Sequence, residues 1–304
     1  MLREYHLNEC RIAPCTEYPG QIQVFINPEP EEKSYLIQEL GVDEHTLNSS
    51  LDPDELSRLE FEPNHVALIF KVPKSYTGEE QLHFRICSLG AFLFSDKLVF
   101  VVSEDVPLFE GKQFNKVPSL KSLFLKVINR SARHFMEHLR IINQVTDELE
   151  QKVNTSMENK YLINLFTLGK SLVYYLNAVN SNGVVIEKLK NNTVKIGLNT
   201  DETEFLDDIL VDNQQCYRQA EIYSNILASL MDARVSIVNN NLNILMKTLN
   251  IVIIYIMLPS LVISAFSMNV AIPMQQYPHA FWIIIAMSLL SVVGVMAFWK
   301  FKKL

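Results

Sequence analysis

The chain has 304 residues, 48% of them hydrophobic, with 27 basic and 34 acidic side chains and a formal net charge of −7. That length allows a sizeable soluble core and membrane segments besides, and the acidic balance argues against a nucleic-acid binder and suits a protein that handles cations. Cys10, Cys15, Cys87 and Cys216 match no zinc-ligand spacing and are read as reduced structural thiols; no phosphate loop, Ser/His/Asp arrangement or metal-ligand run is present, so an enzyme on a membrane anchor is not the expected reading.

Residues 1–118 carry mixed strand and helix signals, which predicts an α/β domain in a chain of α+β class. Met1–Glu9 holds charges of both signs and no apolar run, so no secretory leader is expected. Gln21–Ile26 reads as a strand. Glu31–Leu40 reads as a short helix closed by Gly41. Leu51-Asp52-Pro53-Asp54-Glu55-Leu56-Ser57-Arg58 reads as a polar turn leading into another short helix. Val66, Leu68, Phe70 and Val72 alternate as a half-buried strand does, and Leu82, Phe84 and Ile86 repeat the alternation. Leu89–Phe94 and Leu98–Val102 flank Ser95-Asp96-Lys97 as a hairpin.

After Pro118 the signal changes to long helices, and residues 119–247 form a helical stalk region. Leu120, Phe124, Val127, Phe135, Leu139, Ile142, Val145 and Leu149 keep one apolar stripe from Ser119 to about Asn154. A second helix is expected over 160–189, then a polar break over 191–200. A third pattern starts near Thr203 and meets no Gly or Pro until Pro259. It opens with six acids: Asp201, Glu202, Glu204, Asp207, Asp208 and Asp212. They suit a helix N-terminus and a solvated face, or a cation sensor; Asp208 and Asp212 share a face, being four apart.

The pattern ends in an uncharged stretch, Leu249–Phe266, assigned to a first transmembrane helix over 248–266. A short extracytoplasmic loop, 267–279, leads to a second uncharged stretch and transmembrane helix, 280–299, and a basic tail, 300–304. Lys247 precedes the first span and Lys300, Lys302 and Lys303 follow the second, while the loop has no Lys or Arg. The positive-inside rule then puts both termini in the cytoplasm.

Ser229, Ser236, Asn243, Asn250, Met257 and Ser264 recur every seven residues along the third helix. A strict heptad marks one seam of a left-handed bundle, where a dry coiled coil would carry Leu or Ile. Polar groups at membrane depth face a bundle interior or a water-filled path, so the seam reads as a conduit or as a register device. One chain supplies one such helix, so a path needs several copies about an axis. Met257 is either an apolar constriction or plain packing.

Asn239-Asn240-Asn241-Leu242-Asn243-Ile244-Leu245-Met246-Lys247, followed at the end of the first span by Ser267-Met268-Asn269, resembles the CorA family of divalent-cation channels, whose signature there is Gly-Met-Asn. Leu51–Glu55, Ser171–Tyr175 and Ser181-Asn182 also look like family segments. The resemblance covers essentially the whole chain. It implies a funnel-shaped homopentamer in the cell membrane that passively passes Mg²⁺, with Co²⁺, Ni²⁺ or Zn²⁺ in some members. It also implies that the first span lines the pore, that Ser267, Met268 and Asn269 form its filter, and that intracellular Mg²⁺ bound between cytosolic domains closes it. Asp208 falls where the family carries a sensor acid, with Asp207 and Asp212 beside it. Two features depart from the pattern: Ser267 replaces the glycine, and Val270–Gln276 contains no acid. A second function class stays open: a membrane effector or signalling module of this fold whose cytosolic domain binds another ligand.

Overall fold

A computed structural model of the chain describes residues 1–15, 20–74, 76, 82–155, 159–269 and 277–302. The chain divides into two compact units, Met1–Met231 and Asp232–Leu304.

The first unit holds a seven-stranded sheet: β1 (Leu2–Asn8), β2 (Arg11–Pro14), β3 (Ile22–Ile26), β4 (Arg58–Phe61), β5 (His65–Pro73), β6 (Ile86–Phe94) and β7 (Leu98–Val102). The strand order is β2-β1-β3-β7-β6-β5-β4. β3 and β7 run parallel, with Val24 opposite Phe100, and the other described neighbours are antiparallel. Helices α1 (Pro30–Gln38) and α2 (Glu44–Leu51) cover one face. α3 (Leu120–Thr155), α4 (Asn159–Lys190), the short α5 (Thr193–Ile196) and the start of α6 (Thr200–Phe266) lie on the other side.

The period-2 geometry of a strand explains the three layers. In β7, Leu98, Phe100 and Val102 join the core under α3, α4 and α6, while Val99 and Val101 join Leu36 and Leu47 of α1 and α2. All five residues are fully buried, as expected of a central strand covered on both faces. At Gly90 of β6 an added Cβ would come within 2.5 Å of the Ser50 Cβ, so the missing side chain lets α2 pack on the sheet. Farther along the helices a separate core forms from α3, α4 and α6, with Phe135, Leu139, Leu168, Tyr175, Cys216 and Leu227 inside.

Several expectations needed correction. β1 and β2 were not anticipated, because their residues are only partly buried and mix charges with apolar side chains. No helix follows Leu51–Arg58. α2 ends at Leu51, and the polar turn leads straight into β4, which pairs antiparallel with β5. The alternation at Leu82, Phe84 and Ile86 is not a strand until Ile86. Leu82 has φ of 68°, and Phe84 leaves the sheet to pack in the helical core.

The polar break after α4 also has a defined role. Gly197 adopts φ of 72° and stops α5. Asn199 then caps α6: its Oδ1 accepts from the Glu202 N–H (2.8 Å), and the Glu202 carboxylate accepts from the Asn199 N–H (3.0 Å). This reciprocal cap satisfies two otherwise orphaned donors. Glu202 also accepts from Ser119 Oγ (2.7 Å), tying α6 to the start of α3.

In the second unit, α6 and α7 (Ala280–Lys302) are the two described helices long and apolar enough to cross a membrane. Exposed Tyr277 and Trp282 at one end of α7 and Phe298 near the other have the placement of interfacial aromatics. The loop segment 270–276, with its absence of acids, and tail residues 303–304 lie outside the described residues.

Candidate ion-conduction path

α6 remains helical from Thr200 to Phe266. Asn243, Asn250, Met257 and Ser264 therefore share one helix at seven-residue spacing, drifting only ~20° per heptad. The part of the seam inside the expected span, from Asn250 to Ser264, rises ~21 Å at ~1.5 Å per residue, within the ~30 Å hydrocarbon core, and Asn243 lies before it. All four are exposed on the single chain.

Over the membrane-length part of α6 the hydroxyls off this seam behave differently, although farther up the helix Ser229 of the seam itself donates to the Asn225 carbonyl (2.9 Å). Thr248, Ser260 and Ser267 each donate to the carbonyl four residues back, Ile244 (2.9 Å), Ile256 (2.7 Å) and Ile263 (2.9 Å). That arrangement satisfies the hydroxyls within the helix where no water is available. Among the described residues the side chains of Asn243, Asn250 and Ser264 have no such partner, which leaves their oxygens available to a second party. Pro259 lies inside the helix, where it removes one backbone donor.

The signature follows directly. The Ser267 N–H donates to the Ser264 carbonyl (3.1 Å), and its Oγ holds the Ile263 carbonyl, so the serine closes the helix end. Its backbone stays outside the left-handed region, and the position makes no demand that only glycine could meet. Met268 and Asn269 are exposed beyond it.

The acidic cluster is only partly brought together. Glu202 is committed to its cap. Asp207 pairs with Lys190 (2.9 Å), both side chains being about half exposed. Asp208 is exposed. Asp212, one turn on, lines a groove between α3 and α6 with Arg133 and Arg140. Among the described residues of one chain no three His, Cys, Asp or Glu side chains converge as a metal cage.

A buried polar clasp in the first unit is not legible in the sequence, where Ser181-Asn182 stands out only as a segment of family resemblance. Asn182, fully buried in α4, accepts at Oδ1 from the Lys71 N–H (2.9 Å) and from Ser57 Oγ (2.7 Å). Its Nδ2 donates to the Lys71 carbonyl (2.8 Å), which also accepts from Ser131 Oγ of α3 (2.8 Å). The Ser57 N–H donates to Ser181 Oγ (2.7 Å). Lys71 itself is buried, and its ammonium donates to the Pro53 carbonyl (2.7 Å) and to Ser88 Oγ (2.7 Å). Burial lowers its pKa below the usual lysine value, against the pull of Asp52, Asp54 and Glu55. One signal was available: a lysine inside an otherwise apolar strand needs internal partners.

Two histidines are also held neutral. His138 Nδ1 lies 2.6 Å from the Tyr175 hydroxyl, among Phe84 and His134. Burial, with His134 and Arg130 nearby, takes His138 down to about 3; burial and Arg130, opposed by Glu137, take His134 down to about 4. Both folded values lie below the ordinary 6.5, so between about 3 and 6.5 the unfolded chain binds more protons. Stability should be fully present above 6.5 and fall as the pH drops, by up to ~1.4 kcal/mol per pH unit for each histidine. Thermal unfolding of the full chain from pH 7.5 to 4.5 measures this slope. His134→Asn should flatten it, and an unchanged slope would assign the acid sensitivity to other groups.

A three-layer α/β/α domain whose last helix continues into one of two membrane-length helices defines an integral membrane protein with a polar seam along its first span. A family model described as "CorA-like Mg2+ transporter protein" matches residues 24–303. The cobalt/magnesium transport protein CorA of Methanocaldococcus jannaschii is 25% identical over 283 residues, covering 90% of this chain and 86% of that protein. The fold matches the complete structure of the CorA magnesium transporter from the same organism with a TM-score of 0.82 at 21% identity, over 98% of this chain and 96% of that one. It also matches the full-length CmaX protein with a TM-score of 0.73 at 17% identity, over 98% and 96% of the two chains. The chain belongs to the CorA family.

Proposed function

We propose that this chain forms a homopentameric, gated pore that passes divalent cations, Mg²⁺ foremost and Co²⁺, Ni²⁺ or Zn²⁺ as further candidates, passively across the cell membrane. The observation that carries the reading is the unbroken α6, with Asn243, Asn250 and Ser264 unpartnered along one seam that ends at Ser267-Met268-Asn269. Five copies about an axis turn each seam position into a ring. Mg²⁺ gives up water reluctantly, and rings of neutral oxygens can hydrogen-bond its shell without stripping it. Met257 supplies the apolar ring between Asn250 and Ser264, where a pore can close by dewetting. The lysine distribution supports cytoplasmic termini and an extracytoplasmic signature.

The test is uptake of Mg²⁺, Co²⁺, Ni²⁺ and Zn²⁺ into liposomes holding the purified protein. Its mass in detergent should be about five times 34.9 kDa. A clean dimer, or tight liposomes that admit none of the four ions, would sink the pore.

Regulation by internal Mg²⁺ fits part of the acidic cluster. Asp207 is engaged by Lys190, which leaves Asp208 and Asp212 on one face of α6. Mg²⁺ keeps several waters and is commonly held by one or two carboxylates, so these two suffice if the neighbouring subunit completes the site. A cation that binds the closed arrangement better shifts the population toward closed. Asp208→Ala with Asp212→Ala should give currents that persist at millimolar internal Mg²⁺, where the parent shuts. An identical Mg²⁺ dependence in both proteins would make this a solvated helix face.

A further inference from the structure

We infer that the cytosolic domain carries a second ligand site, a cationic cavity for a small phosphate-bearing molecule, separate from the ion path and independent of the transport reading. The cavity, of about 320 Å³, lies where the end of β5 and the start of β6 meet one face of α4. That volume is at the low end of the range of small-molecule pockets, ~300–1,000 Å³.

Its walls bring together three cations from separate stretches of the chain, Lys74, Arg85 and Lys170, with the His83 ring beside them. Residues 1–246, by contrast, hold 23 basic and 34 acidic side chains, a net charge of −11. Two acids temper the site. Lys74 is paired with Glu104, and Asp54 is part of the lining. Arg85 and Lys170 have no carboxylate partner among the described residues. An exposed guanidinium and an ammonium facing one cavity are the donor pair that oxyanions select. The planar fork of Arg takes two phosphate oxygens, and Lys adds a point charge.

The remaining wall selects what carries the phosphate. The Tyr174 ring is exposed and lines the cavity, with the Lys170 ammonium 5.9 Å from its centroid. Phe84, also in the lining, is buried, and its N–H is held by Ser171 Oγ (3.3 Å), which gives the cavity a fixed apolar surface. A flat organic group can lie on Tyr174 while its phosphate meets Arg85 and Lys170. The shared chemistry is the phosphate dianion, free or carried on such a group.

Isothermal titration of the full-length protein in detergent, at low salt and without divalent ions, tests the site with inorganic phosphate, pyrophosphate, AMP and adenosine as probes. At least one phosphate-bearing probe should bind saturably, about tenfold or more tighter than adenosine, and weaken as salt rises. Arg85→Ala with Lys170→Ala should weaken it about tenfold or more, and so should Lys170→Glu alone, whereas Lys97→Ala on the β6–β7 turn should not. Tyr174→Ala distinguishes the sources: loss of AMP affinity with pyrophosphate unchanged assigns a phosphate on a flat group, and no change for either assigns a free phosphate. The inference is overturned if no phosphate probe binds the parent protein saturably, or if the double variant and Lys170→Glu both bind as the parent does.

Discussion

Asn269→Ala is expected to abolish divalent-cation uptake while leaving the oligomer intact. Asn269 is exposed beyond the helix end that Ser267 closes. In the proposed pentamer its amide oxygens form the first ring a hydrated cation meets, and Val270–Gln276 offers no acid to replace them. An acidic mouth concentrates cations by its field; a neutral one depends on oxygens set at the right distance from the hydration shell. Losing a ring of five therefore removes the capture step itself. Ser267→Gly should be tolerated, because the backbone there is not strained and the loss is one hydroxyl bond to the Ile263 carbonyl. Liposome uptake and detergent mass, measured on the same preparations, separate the two outcomes. Normal uptake by Asn269→Ala would remove the filter assignment and leave the membrane fold untouched.

The largest stability effect should come from Asn182→Leu. The substitution keeps the bulk but strands the Lys71 N–H in a buried place and removes the acceptor of the part-buried Ser57 hydroxyl. The buried N–H left unpaired costs ~1–3 kcal/mol and the part-buried hydroxyl about 1 kcal/mol more, so a total of about 2–4 kcal/mol is expected. Ser131→Ala should cost only about 1 kcal/mol, because the Lys71 carbonyl keeps its bond from Asn182. Urea unfolding of the full chain measures both. Equal midpoints for the parent and Asn182→Leu would mean that water takes over the clasp. The clasp joins β5, the turn before β4, α3 and α4 at one point, so its loss should loosen the domain as a whole.

What the sequence determined by itself is the part governed by local periodicity and by solvent. The absence of charge over Leu249–Phe266 and Ala280–Trp299 identifies membrane spans, because hydrocarbon tolerates little else. The stripe on α3 follows from the 3.6-residue repeat, and α3, β5 and β7 lie within a residue or two of their expected bounds, but β5, expected to be half-buried, is covered on both faces. The seven-residue seam was legible for the same reason: a helix keeps such positions on one face whatever surrounds it. Tertiary structure alone decided which charges are free. The six acids between Asp201 and Asp212 look equivalent, yet Glu202 is held by Ser119 as well as by its local cap with Asn199, Asp207 is paired with Lys190 and Asp208 is exposed; the bonds to Ser119 and Lys190 come from other parts of the fold. The Asn182 clasp and the cavity at Arg85 and Lys170 are likewise contacts between residues far apart in sequence. Hydrogen bonds and charge pairs are short-ranged and directional, so their partners exist only once the chain has folded.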